Sequence, residues 1–344
     1  MPIAISAVAV VAAVAATLLY TTRSHNAIPI AATSPNTQAS QTSPAPRGEQ
    51  TTSASDNKSA PVALVPEDVP FIRDFEQATV RNDYLSAPDH KALALSYTHA
   101  GFALDKQDDK TAIAAAMEAC RVASDAVGPG YTCQLYAVGN VVVYKAGRPP
   151  MPPEPWVTED QSVSRPFTAD DTPMASGNLR SRLEIYSTAI VAKALTVSSG
   201  GAFSWRFGNQ SQDEAVRRSL EICGATSGFA CMVIAVDNIF VVPVPSTMKA
   251  IGFFRATTEP LIAPEMRPDV ARRLGNATKG WKAVATGLSG RPSVVIKAAT
   301  EQAAVEGALR DCQGMDRECR MIAIGPFRVA PRAPADKPPQ TSGQ

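Results

Sequence analysis

The strongest constraint on this chain is a threefold repeat built around paired cysteines. One copy runs from Lys91-Ala92-Leu93-Ala94 to Cys120 and then Cys133. The next runs from Lys193-Ala194-Leu195-Thr196 to Cys223 and Cys231, and the last from Lys282-Ala283-Val284-Ala285 to Cys312 and Cys319. The lysine-to-first-cysteine separations are 29, 30 and 30 residues. QLYAVGN, MVIAVDN and RMIAIGP follow the second cysteines, so Ala137, Ala235 and Ala323 each stand four residues on. A chain that repeats in this way folds as copies of one supersecondary unit. A single unit of that size buries too little surface to be secure, so staples or packing between copies are required.

The segment before each first cysteine has a helical period. At eight, seven, four, three and zero residues back stand Ala112, Ile113, Ala116, Met117 and Cys120, then Ala215, Val216, Ser219, Leu220 and Cys223, then Ala304, Val305, Ala308, Leu309 and Cys312. Those offsets form the inward stripe of a 3.6-residue period. Asp108, Ser211 and Thr300 lie twelve residues before the cysteine and suit N-caps, and Ser211 with Glu214 spells a capping box. Each helix is expected to end at its first cysteine. Short apolar strands flank it: 92–96 and 101–104, 194–198 and 202–207, 283–286 and 293–296 ahead, and 135–138 and 141–144, 233–236 and 240–242, 321–324 and 327–329 behind. The fold class is α+β, with three ββαββ units, mostly antiparallel sheets and a short helix on each. Lead-in helices are expected over 69–85 and 176–193, with 268–274 a third. Three separate beads or one fused body both remain open.

All six cysteines belong to the repeat, at separations of 13, 8 and 7 residues. A turn from helix end to strand start makes the local bridges Cys120–Cys133, Cys223–Cys231 and Cys312–Cys319 natural. Bridges imply an oxidising compartment. The close pairs of a structural zinc site are absent, and the chain has only His25, His90 and His99 as imidazole ligands, so no metal or other cofactor is expected. A redox role would need C-x-x-C, which does not occur.

Outside the repeat the composition changes. Residues 2–20 carry no charged side chain and are long enough to cross a bilayer, as an anchor or as a cleaved signal. The tract 21–66 is rich in Ser, Thr, Ala and Pro and reads as a disordered tether, and 330–344 as a disordered tail. Between them the boundaries are unit one with its lead-in helix over 67–150, unit two over 151–250 and unit three over 251–329. The expected location is the bacterial periplasm or outer face, inner-membrane anchored through 2–20 or secreted. Lys plus Arg is 33 against 32 for Asp plus Glu, a balance that gives no basis for binding nucleic acid.

Catalytic signals are thin. Ser246-Thr247-Met248-Lys249 matches S-x-x-K, and Ser55-Asp56-Asn57 spells S-D-N, but the order is wrong and K-T-G is missing. His99, with Asp105, Asp108 or Asp109 to orient it, is unrepeated, since Ala202 and Arg291 hold its place in the other units. Glu118 and Glu221 fall on the outward side of their helices and are expected to face solvent. No catalytic residues are assigned. The better lead is aromatic: Phe203, Trp205 and Phe207 alternate along one strand of unit two. They are either core, with Ala215 and Ser219 leaving room for large rings, or a recognition stripe near Arg206. Trp281 poses the same choice.

Unit two resembles the bacterial family known as domain of unknown function 4189, through Gly201-Ala202-Phe203-Ser204-Trp205, Glu214-Ala215, Leu220, Cys223 and Cys231. Units one and three keep the helix and cysteines but have Phe102 and Val294 in place of Trp205. The likeness covers about 150 residues across the three copies. It implies export and a disulfide-bonded fold, and supplies no catalytic residue. The expected function is a non-catalytic envelope module that binds another protein or a cell-wall component. The alternative is an envelope hydrolase with a site between units.

Overall fold

The alternation of small and large residues along the strand that opens each repeat dictates a sheet covered on both faces. In unit one, Ala92 and Ala94 pack on Ala112, Ala116 and Cys120, while Leu93 and Leu95 pack on Val80 and Tyr84 of the lead-in segment. Successive side chains of a strand point to opposite faces, so small residues admit one helix closely and large ones meet the other. The computed structural model describes residues 61–332 other than Pro129 and Glu159. The expectations placed on 2–20, on His25, on Ser55-Asp56-Asn57, on the tether as far as residue 60 and on the tail beyond Arg332 lie outside the described residues.

Unit one consists of β1 (Val62–Ala63), α1 (Asp74–Thr79, continued by a wider turn over Val80–Tyr84), β2 (Ala92–Leu95), β3 (Ala100–Ala103), α2 (Asp109–Asp125), β4 (Gln134–Val138) and β5 (Val141–Val142). Unit two has β6 (Arg165–Pro166), α3 (Gly177–Thr188), β7 (Ala194–Val197), β8 (Phe203–Arg206), α4 (Gln212–Ser227), β9 (Met232–Val236) and β10 (Ile239–Phe240). Unit three has β11 (Lys249–Phe253), α5 (Arg267–Asn276), β12 (Trp281–Thr286), β13 (Pro292–Ala298), α6 (Glu301–Gln313), β14 (Arg320–Ile324) and β15 (Phe327–Ala330). The three sheets share one antiparallel order: β1-β5-β4-β2-β3, β6-β10-β9-β7-β8 and β11-β15-β14-β12-β13. The three repeated sheet-and-helix units and their lead-in helices are thus present. Each sheet also gains a fifth strand from ahead of its lead-in helix, two residues long in units one and two. In unit one it draws residues 62 and 63, at the end of the expected tether, into the fold.

Asp108, Ser211 and Thr300 cap their helices by accepting from the amides of Thr111, Glu214 and Ala303. The capping box at Ser211 is half made, because the Glu214 carboxylate reaches Gln210 N instead, at 2.8 Å. The three local disulfides are formed. Two of the helices run past the first cysteine, while α6 ends at Gln313, directly after Cys312. α2 continues to Asp125 and α4 to Ser227, ending on the left-handed Gly228, which a glycine adopts without steric cost.

The described residues belong to one compact unit, Ser59–Gln344. Units two and three share a single apolar core, in which Leu183, Tyr186, Leu195 and Phe240 meet Trp281, Ala283, Ala304 and Ala308. The membrane assignment is corrected: among the described residues no helix is long and apolar enough to cross a membrane. The longest, α2, carries Lys110, Glu118, Arg121 and Asp125 along an exposed side, and an amphipathic helix of that kind packs on a sheet. Residues 2–20, where the span was placed, are not described.

Candidate recognition groove between the first and second units

The joint between units one and two is made by one exceptional turn of α4. The Glu221 carboxylate accepts from Phe71 N at 2.7 Å, and Arg218 Nε donates to Phe71 O at 2.9 Å. Arg218 also donates to Thr98 O and to Asn209 Oδ1, at 3.1 and 2.8 Å. Arg217 donates to Ile72 O and to Asp74 Oδ1, at 2.8 and 2.9 Å. Phe71 is thereby held at φ 70°, a left-handed conformation that a non-glycine residue adopts only under constraint. Its ring meets Tyr97 edge-on at 5.0 Å. The expectation that Glu221 faces solvent is corrected, since it is only 9% exposed. Its counterpart Glu118 is exposed and pairs with Arg121. The difference is that unit one covers the outer face of α4, a fact that helical period alone does not carry.

A groove of about 400 Å³ opens beside this joint. Unit one contributes Arg73, Tyr97, His99 and Tyr131; unit two contributes Arg182 from α3, Arg218 and Ile222 from α4, and residues 203–207 around the edge strand β8. Along β8 the buried Ser204 faces α4, where Thr196 bridges Ser204 O and Ser219 O. Phe203, Trp205 and Phe207 therefore lie on the other face, away from Ala215 and Ser219. Phe203 and Trp205 are partly buried against the core, and Phe207 is 48% exposed. The Arg182 guanidinium sits 5.5 Å from the Trp205 ring centre, a cation–π distance. Strand pairing puts Phe102, Trp205 and Val294 at one repeat position, opposite Leu93, Leu195 and Val284. Phe102 is closed over by Tyr84, at 6.4 Å, whereas Trp205 lines the groove. Trp281 is core, with its indole N–H on Ser162 O.

The electrostatics are one-sided. Among the described residues no carboxylate lines the groove. Arg73 Nε, His99 Nδ1 and Arg206 Nε are buried without a hydrogen-bond partner among the described residues. Arg206 spends its other nitrogens on Trp205 O and Tyr97 O. Burial, reinforced by the neighbouring Arg218, pulls the Arg206 guanidinium down to about 10. Burial likewise lowers Arg218 and His99. The carboxylates behind the wall are already engaged: Glu76 accepts from Arg73 N and Ala100 N, at 2.7 and 3.1 Å, and Glu221 from Phe71 N.

The remaining candidates lie elsewhere. Ser246 Oγ and Thr247 Oγ1 each donate to the Glu301 carboxylate at 2.6 Å, and both amides join them. Lys249 is exposed at the start of β11. His90 pairs with Asp109 at the surface, and Asp108 is taken up as a cap. Among the described residues no cluster of His, Cys, Asp and Glu is arranged to hold a metal ion. Of the groove arginines, Arg206 is legible in the sequence beside the aromatic stripe; Arg218 also carries a signal, because Arg217-Arg218 stands where the other units have Ala114-Ala115 and Glu306-Gly307. Comparison with family models, curated proteins and solved structures finds no match.

Proposed function

We propose that this protein is an exported, non-catalytic binding module that holds a component of the cell envelope in the groove between its first two units. The observation that carries the reading is the groove lining itself: aromatic rings, the cations Arg73 and Arg206 with no ion-pair partner among the described residues, and among those residues no lining carboxylate to serve as acid or base. Three disulfides support an oxidising compartment. The test is a thermal-shift screen of the full chain against fractionated envelope material, read beside Trp205→Ala. A fraction that raises the melting temperature of wild type, and not of the variant, supports the reading. Mass spectrometry of the same fraction after incubation decides between classes. New, lower-mass products would replace the binding module by a hydrolase acting between units.

A further inference from the structure

The arginines of α4 that tie this joint together have opposites. Arg217 has Asp74 and Glu221, and Arg218 has Glu214 at 3.7 Å. Among the described residues, Arg73 and Arg206 have no carboxylate within ion-pairing distance, and each keeps a buried, unpartnered Nε. A desolvated cation without a counter-charge is costly, and folds retain one where something else supplies the charge. The repeat sharpens the point. The position of Arg206 is Ala103 in unit one, opposite Ala92 just as Arg206 is opposite Ala194. The sheet therefore folds without an arginine there.

We propose that the groove is a site for an oxyanion, a carboxylate or phosphate, carried on a sugar ring. This rests on the groove being the recognition site. The guanidiniums of Arg206 and Arg73 line the groove and supply its positive charge, with His99 beside them. Guanidinium forks match the paired oxygens of carboxylate and phosphate. Trp205 lines the same groove from the other face of β8, and offers a sugar the ring face turned from Arg182. The anion neutralises the wall, and the ring fixes its orientation.

The experiment is calorimetric titration of the full chain with four probes: glucuronate, glucose 6-phosphate, inorganic phosphate and glucose. Wild type is expected to bind at least one sugar anion about tenfold or more tightly than glucose, the difference expected of one charge-assisted hydrogen-bonded contact. Binding should weaken as salt is raised. Preference for glucuronate or for glucose 6-phosphate tells whether an acidic sugar or a phosphate ester is the source. Inorganic phosphate should bind more weakly than the sugar phosphate, because it lacks the ring. Arg206→Gln should lose about tenfold or more in affinity, while Arg206→Lys, which keeps the charge, loses less. If Arg206→Gln melts well below wild type, Arg73→Gln is the variant that decides. Glucose binding as tightly as the anions, or an undiminished affinity in the glutamine variant, would overturn the anion while leaving groove recognition standing. Absence of binding by both sugar anions at millimolar concentration also overturns it. An envelope ligand that still depends on Trp205 in the screen above would show that the failure is of the anion alone.

Discussion

Lys91, Lys193 and Lys282 open the second strand of their units and perform the same task to different extents. Lys193 Nζ donates to the carbonyls of Tyr186, Ser187 and Ala189, closing the end of α3. Lys91 reaches two carbonyls, Leu85 and Ala87, and Lys282, among the described residues, reaches one, Leu274 O. An ammonium buried at a helix C-terminus is favoured by the carbonyls it satisfies and by the helix dipole. Replacement by Met should therefore destabilise in the order Lys193, Lys91, Lys282, with about 3 kcal/mol or more at Lys193 and about 1 kcal/mol at Lys282. Urea melts of the three variants measure this, and equal losses would rule the ordering out. The tryptophans divide in a similar way. Trp281→Ala should cost about 3–5 kcal/mol through the cavity it leaves, and Trp205→Ala distinctly less. The sequence marks all of these positions, but their depth depends on neighbours from elsewhere in the chain. Lys193 repeats visibly, while the carbonyls it meets carry no side-chain signature at all.

At the scale of the element, closeness between strand and helix is the property most plainly written in the residues. A Cβ placed on Gly101 would run into Ala116 O and Cys120 N, so α2 lies directly against β3. The stripe of Ala and Ser on each helix announces that approach. Gly101→Ala should cost about 1–3 kcal/mol by overpacking, seen as a lowered melting temperature. Strands β1 and β6 are not legible in the same way: Val62–Ala63 and Arg165–Pro166 are too short to show a period, and only their partners make them strands. The serine-lysine motif is resolved at this scale too. Burial pushes the Glu301 carboxyl up, but the donors from Ser246 and Thr247 more than reverse it and leave it below its usual value. Such a group stabilises above the unfolded-state pKa of about 4.3, and that contribution is lost as pH falls through the lower folded value. The melting temperatures of wild type and Glu301→Gln should thus differ most above pH 5 and converge as the pH falls below 4. A gap that stays constant with pH would mean that the carboxylate charge plays no part in holding the loop to α6.

Across the whole molecule, the two joints are built from different materials. Units two and three meet through one apolar core, whereas units one and two are tied by Arg217, Arg218 and Glu221 around a backbone bend. A repeat reveals what the copies share, and a joint is made of what they do not share. For that reason three units were legible while beads and one body could not be told apart. Glu221 lies on the outer side of α4, as the period implies, but the period does not carry the fact that unit one covers that side. The two joints should respond differently when cut. Glu221→Ala leaves Phe71 N without its acceptor and Arg217 without one of its partners, both largely out of solvent. Breaking a buried pair from one side costs about 3–5 kcal/mol. That loss should fall on the first joint, because no residue of unit three takes part in it. Hydrogen exchange in Glu221→Ala should therefore quicken around Phe71–Asp74 and the β2–β3 turn, with β12 and β14 protected as in wild type. Trp281→Ala, in the shared core, should instead quicken β7, β9, β12 and β14 together. If Glu221→Ala raised exchange evenly through all three sheets, the polar joint would be no weaker a seam than the apolar one. The groove would then be part of a single cooperative body, rather than a cleft at the boundary between two.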